Sequence, residues 1–282
     1  MHLPSEYRSQ MSSVIYCKRC GNHVIMGAMQ KAFAQQDIDP ESLVIVAGIG
    51  CAGRVPFYIN AYGVHTLHGR PLPVAIGIKT ANRNLKVVVV TGDGDAYGIG
   101  GGHVPHATRK NIDLVFVVVD NSVYGMTGGQ TSPTTRQGHQ TSTTIYGTIL
   151  EPVSPVFRSL ADKVSFVARG TVEHSAQLID LLQQALAHPG FAMVHVLSRC
   201  PTHDKLHYFD ENAARVRDIP PDHDRTSLPA ALNLCLDPDH LYTGVFHQVL
   251  KPTYNDRADM ILAKAKAQKG ITTVEDLVEQ YV

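Results

Sequence analysis

The chain has 282 residues, and its 25 Lys and Arg balance 25 Asp and Glu, so it carries no formal net charge. That balance offers no basic face for nucleic acid, and no apolar run approaches the roughly 20 residues of a membrane span. The N-terminal stretch lacks the apolar core of a secretory leader, and the 44% apolar fraction suits one sizeable α/β core, expected in the cytoplasm.

Residues 1–16 read as a loosely ordered arm. Residues 22–36 (NHVIMGAMQKAFAQQ) carry helical periodicity. Residues 42–50 (SLVIVAGIG) form a buried strand that runs into a glycine turn, with Cys51 next. A helix with proline near its start is predicted over 71–84. Residues 85–95 (LKVVVVTGDGD) and 112–121 (IDLVFVVVDN) are buried strands ending in Gly92-Asp93-Gly94 and Asp120-Asn121. Residues 122–155, rich in Gly, Thr, Ser and Pro, read as a long functional loop. A short strand (164–170), a helix (173–190) and a strand (191–198) follow, and Cys200 comes next. The tail beyond Pro201 is more polar, with helices predicted over 256–269 and 273–281.

This alternation specifies an α/β protein with a mostly parallel sheet flanked by helices on both faces. Ligands of such sheets bind beyond the carboxyl ends of the strands. Cys51, Gly92–Gly94, Asp120-Asn121 and Cys200 each follow an apolar strand, so they are predicted on one edge.

Glycines at the Gly92-Asp93-Gly94 turn let the backbone approach a phosphate and leave amides free to face it. Asp93 supplies a hard oxygen for Mg²⁺. Asn121, 28 residues on, and the main-chain carbonyl of Val123 are the candidate second and third ligands. Asp95 is set back from the metal. This arrangement resembles the diphosphate-binding motif of thiamine-diphosphate enzymes. A dinucleotide site fits poorly, because the G-x-G-x-x-G fingerprint is missing. Thr127 and Gln130 are candidates for the diphosphate lining. His65, His68 and Arg54 are candidates for substrate or cofactor contact, against the plainer reading of structural histidines and a surface arginine. His103 and His106, placed on the helix after the glycine turn, read equally as packing or capping groups.

Of five cysteines, Cys17 and Cys20 form a C-x-x-C, and Cys51 and Cys200 hang on strand ends. Four thiolates suit an iron–sulfur cluster. Zinc is the rival, although zinc ribbons draw on two close pairs and only one is present. Cys235 reads as an apolar filler.

Five blocks, CKRCGNHVIMGAM, GIGCAGRVPFY, YGVHTLHGRPLPVAIGIKTAN, TGDGDAYGIGGGHVPHATRKNIDLVFVVVDNSVYGMTGGQTSPTT and SRCPTH, resemble in order the β subunits of 2-oxoacid:ferredoxin oxidoreductases. The resemblance implies thiamine diphosphate on Mg²⁺ held by Asp93, Asn121 and Val123, and one [4Fe–4S] cluster on Cys17, Cys20, Cys51 and Cys200. It divides the chain into a cofactor-binding domain (1–203) and a C-terminal extension (204–282). The implied reaction converts a 2-oxoacid and coenzyme A to acyl-CoA and CO₂, passing electrons to ferredoxin, and is reversible. The YGMTGGQTSPTT block resembles 2-oxoglutarate members more than pyruvate members, with pyruvate or broad specificity as the alternative. A separate α subunit is implied for the aminopyrimidine half of the site, in an (αβ)₂ assembly. Lys18 and Arg19 depart from the small residues or proline usual between the paired cysteines, and read either as solvated charges or as a cationic rim for an acidic ferredoxin. Two rivals differ in class: an acetolactate-type thiamine enzyme, about twice this length and needing no cluster, and a zinc-stabilised module without catalysis.

Overall fold

The computed structural model describes every residue except Met1, Ser12, 205–207, 270–272, Gln280 and Val282. Its strands are β1 (Leu43–Ala47), β2 (Tyr62–His65), β3 (Lys86–Gly92), β4 (Leu114–Asp120), β5 (Val123–Tyr124), β6 (Gln130–Thr131), β7 (Phe166–Thr171), β8 (Phe191–Leu197), β9 (Val216–Asp218) and β10 (Leu241–Gln248). Its helices are α1 (Asn22–Gln35), α2 (Pro71–Ala81), α3 (Asp93–Tyr97), α4 (Val104–Lys110), α5 (Pro155–Ala161), α6 (Ser175–Ala187), α7 (Tyr208–Arg215), α8 (Leu228–Cys235), α9 (Tyr254–Lys269) and α10 (Val274–Glu279). No helix among the described residues is long and apolar enough to cross a membrane.

Eight strands form one sheet in the order β2-β1-β3-β4-β8-β7-β10-β9, and β5 and β6 pair as a separate ribbon. The first six are parallel; β10 runs antiparallel to β7, and β9 parallel to β10. The central strands are apolar throughout because both faces are covered. Ile45, Val88, Val90, Val115, Val117 and Val194 face one layer, with Ile25, Met29 and Phe33 of α1 and Leu178 and Leu182 of α6. Val44, Val46, Val87, Val89, Phe116 and Met193 face the other, with Leu72 of α2, Val104 of α4 and Leu160 of α5. The 3.6-residue spacing of Ile25, Met29, Ala32 and Phe33 puts one stripe of α1 against the sheet.

Several expectations need correction. The N-terminal arm is pinned rather than loose. Pro4–Tyr7 forms a 3₁₀ turn, Tyr7 is wholly buried with its hydroxyl donating to the Ile38 carbonyl, and Asn60 N–H donates to the Tyr7 carbonyl at 2.8 Å. One buried aromatic with a satisfied hydroxyl anchors the segment. The loop over 122–155 contains the β5–β6 ribbon, and it gives way at Ser154, whose hydroxyl caps α5 by accepting from Phe157 N–H at 3.3 Å. The helix after the glycine turn is α3, which starts at Asp93; His106 lies on α4 and His103 is the residue before its first turn. β2 gave no alternating signal because it is an exposed edge strand. The tail also holds β9, β10, α7 and α8, and β10 buries Val245 and Phe246. Of the short helix predicted over 273–281, Val274–Glu279 is helical, and Gln280 lies outside the described residues.

Candidate active site

The chain leaves β1 for β2 on one side and builds β3 on the other, so the loops at their carboxyl ends diverge and open a crevice. A cavity of about 190 Å³ occupies it, lined by Gly92, Asp93, Gly94, Asn121, Val123, Thr127, Cys51 and His68 from the predicted set, and by Asn22, Asp95 and Tyr124. Gly94 lies under the Tyr124 ring, where a Cβ would stand 2.2 Å from a ring carbon, and Tyr124 Oη donates to the Gly94 carbonyl at 3.0 Å. The turn that follows β4 puts Ser122 in the left-handed region (φ 56°). Asp120 holds it there, accepting from Ser122 N–H at 3.0 Å and from its hydroxyl at 3.1 Å.

Asp93 is almost wholly buried. Its carboxylate accepts from the Thr134 hydroxyl at 2.8 Å, and the Ser132 hydroxyl and Asn121 N–H also bond it. Burial, followed by the nearby Asp120 charge, holds the Asp93 carboxyl well above the usual carboxylate range. A cation beside Asp93 removes that cost. Thr134 also reaches Asp120 Oδ1 at 2.8 Å. Asp120 Oδ2 lies 2.9 Å from His195 Nε2, and Arg169 Nε donates to His195 Nδ1 at 3.2 Å. Arg169 can only donate, so His195 accepts at Nδ1 and donates from Nε2 to Asp120. Burial lowers the His195 pKa, which fits the neutral ring that these two bonds require. The Asp120 carboxyl is held low despite its burial, by the hydrogen bond from His195 and by the Thr134 and Ser122 donors.

His68 Nδ1 lies 2.5 Å from Asp95 Oδ1, which also accepts Gly69 N–H at 2.7 Å and Ile49 N–H at 3.2 Å; Thr91 donates to Asp95 Oδ2 at 2.5 Å. Asp95 thus ties the loops after β1 and β2 to α3 and orients His68 at the cavity. His65, on β2 against Phe57, and Arg54, half-buried beside Cys51, are not in the cavity lining. Gln130 is not either; it bonds Thr127, which does line the cavity, through Nε2 to the Thr127 carbonyl and by accepting the Thr127 hydroxyl, both at 2.5 Å.

Four cysteines gather beside this cavity. Gly21 carries the C-x-x-C turn against the end of β8, where a Cβ would meet Ser198 Oγ at 2.2 Å, and its N–H donates to the Arg199 carbonyl at 3.3 Å. Burial pushes the Cys51 thiol up to about 11, and the nearby Cys20, Cys200 and Cys17 push it further in the same direction. Burial likewise raises Cys20 and Cys200. Donors are aimed at the sulfurs: Thr202 Oγ1 to Cys17 at 3.3 Å, Asn22 Nδ2 to Cys20 at 3.5 Å, and the amides of Thr202 and His203 to Cys200. Such donors suit thiolates that carry a charged centre. Among the described residues, no group of three or more His, Cys, Asp and Glu side chains is arranged to hold a metal ion. Cys235 sits on α8, packed against the second core layer near Ser154.

Reading the sequence alone missed Asn22, Tyr124, Ser132, Thr134, His195 and Arg169, and it named Asp120 only as a strand end. Only Asn22, directly after C-x-x-C-G, and Tyr124, directly after Val123, stood next to a predicted site residue or motif.

Residues 48–196 match the family described as "Thiamine pyrophosphate enzyme, C-terminal TPP binding domain", and 200–262 match the family of the C-terminal part of pyruvate ferredoxin oxidoreductase beta subunits. The 2-oxoglutarate synthase subunit KorB of Methanocaldococcus jannaschii is 42% identical over 280 residues, covering 95% of this chain and 100% of that one. A 2-oxoacid:ferredoxin oxidoreductase subunit beta from Sulfolobus sp is 35% identical, covering 94% and 91%. The structure of a 2-oxoglutarate:ferredoxin oxidoreductase from Magnetococcus marinus, with 2-oxoglutarate, coenzyme A and succinyl-CoA bound, superposes with a TM-score of 0.93 at 35% identity, covering 99% of this chain and 95% of that one. A glycine turn with a buried carboxylate, four cysteines at the same sheet edge and these full-length likenesses agree: the chain belongs to the β subunits of the 2-oxoacid:ferredoxin oxidoreductases.

Proposed function

We propose that this chain binds thiamine diphosphate, Mg²⁺ and one [4Fe–4S] cluster and, with an α subunit, converts a 2-oxoacid and coenzyme A to acyl-CoA and CO₂, reversibly, with ferredoxin as electron acceptor. The carrying observation is that the Asp93 turn and Cys51 line one cavity while Cys17, Cys20 and Cys200 stand beside Cys51. Asp93, Asn121 and the Val123 carbonyl would hold Mg²⁺ on the diphosphate, and the four cysteines the cluster. Bound thiamine diphosphate supplies the nucleophilic carbon and the electron sink for decarboxylation. The chain's own residues do the rest. Thr134 and Ser132 fix the Asp93 carboxylate. Asp95 orients the imidazole of His68 at the cavity wall. Tyr124 closes over Gly94.

The 2-oxoglutarate preference is supported by the YGMTGGQTSPTT block and by the ligands of the Magnetococcus marinus enzyme. The aminopyrimidine half of the site is assigned to the α subunit, in an (αβ)₂ assembly. Unpaired cysteines suit the reducing cytoplasm. The test is anaerobic turnover of the complex with coenzyme A and ferredoxin. Substrate-dependent ferredoxin reduction with 2-oxoglutarate, at least tenfold more efficient than with pyruvate, is expected. Reduction with pyruvate alone would overturn the substrate, and none with any 2-oxoacid would overturn the function.

A further inference from the structure

Asn22 stands between the two groups of site residues. It is the first residue of α1, it follows the C-x-x-C-G turn directly, and only 1% of it is exposed. Its Nδ2 lies 3.5 Å from Cys20 Sγ, while its Oδ1 is buried with no hydrogen-bond partner. The same residue lines the cavity that Asp93 and Asn121 line. A buried amide oxygen without a donor costs about 1–3 kcal/mol, so the fold keeps an unsatisfied acceptor in the wall of the cavity, which a ligand's donor would satisfy.

We infer that Asn22 bridges the cluster to the cofactor: its N–H bonds the Cys20 sulfur and its carbonyl accepts a hydrogen bond from an N–H or O–H of the molecule in the cavity. This deepens the proposed function and rests on that reading of the cavity and the cysteines. The two ends of one rigid amide then couple two effects. An N–H donated to a ligating sulfur stabilises the more negative, reduced cluster and raises its potential. The carbonyl end fixes the bound molecule relative to that sulfur. Asn22 is thus a positioning residue, and its two bonds can be separated by substitution.

The test uses the complete complex, purified anaerobically. Wild-type and variant proteins are compared by iron content, by redox titration monitored by electron paramagnetic resonance, and by thiamine diphosphate titration in the presence of Mg²⁺. Asn22→Leu, of similar size and without polar atoms, is expected to shift the reduction equilibrium about fivefold toward the oxidised form, which is about 40 mV at 59 mV per tenfold. It is also expected to weaken thiamine diphosphate about fivefold. Asn22→Asp keeps the acceptor and loses the donor, so its potential falls while cofactor affinity stays within about twofold. Asn22→Ala repeats the Leu pattern and serves if the Leu variant does not fold. An unchanged potential in the Leu or Ala variant overturns the bridge, as does cofactor affinity that falls as far in the Asp variant as in the Leu variant. A wild-type complex with neither iron nor thiamine diphosphate overturns the proposed function instead.

Discussion

Thr134 has one hydroxyl proton and two carboxylate acceptors, Asp93 and Asp120, each at 2.8 Å. With both carboxylates ionised, that proton cannot satisfy both, so a cation on Asp93 or a proton shared with it completes the arrangement. Thr134→Val is therefore expected to weaken Mg²⁺-dependent thiamine diphosphate binding roughly tenfold, as removal of a hydrogen bond to a buried charge does; equilibrium titration checks it. Asp93→Asn removes the ligand charge and the repulsion by Asp120 together. It is expected to lower cofactor affinity by more than about tenfold, as loss of a hard oxygen ligand implies, while leaving the thermal stability of the cofactor-free chain at neutral pH unchanged or higher. Asp93 was legible because glycines flank it at a strand end. Thr134 was not, since nothing in TSPTT distinguishes a hydroxyl aimed at a carboxylate from an ordinary loop threonine. His195 and Arg169 were hidden differently: they sit inside strands whose apolar neighbours account for the burial.

Elements were legible where burial forced a pattern. The valine runs of β3 and β4 and the apolar stripe of α1 read directly as two-sided strands and an amphipathic helix. The edge strand β2 and the tail strand β10 did not, because one is exposed and the other mixes Thr, Gly and His with its apolar residues. Yet β10 extends the sheet beyond β7, and it puts Phe246, wholly buried, under the Arg169 guanidinium at 5.3 Å. Phe246→Ala is expected to cost about 3–5 kcal/mol, in the range of buried aromatic truncations, as read by chemical denaturation. A cost under about 1 kcal/mol, the range of surface changes, would mean that β10 is not part of the core.

At the scale of the molecule, the sheet edge concentrates the chemistry while the opposite end carries purely structural devices. His188 caps α6 there, with Nε2 2.9 Å from Ser165 Oγ, and burial lowers its pKa from 6.5 to about 4. The folded chain thus binds fewer protons here than the unfolded chain between these values, so this contribution to stability is present above pH 6.5 and is lost as pH falls toward 4. Thermal melts should show wild type losing more stability than His188→Gln over that window, whereas parallel losses would remove His188 as a cause. The convergence of Cys51, Asp93, Asn121 and Cys200 was legible because a parallel sheet puts every strand's carboxyl end on one side. Lys18 and Arg19 stand between the paired cysteines, in place of the usual small residues or proline, as two exposed cations beside the exposed Cys17.

The most direct measurement is iron content and the electron paramagnetic resonance of the anaerobically reduced complex, compared across Cys→Ser variants. Wild type and Cys235→Ser are expected to carry about four iron per chain with the signal of one reduced cluster; Cys17→Ser, Cys20→Ser, Cys51→Ser and Cys200→Ser should each lose or deplete it. Full iron with an unaltered signal in Cys51→Ser or Cys200→Ser would contradict a cluster shared between the C-x-x-C turn and the strand ends beside the cofactor.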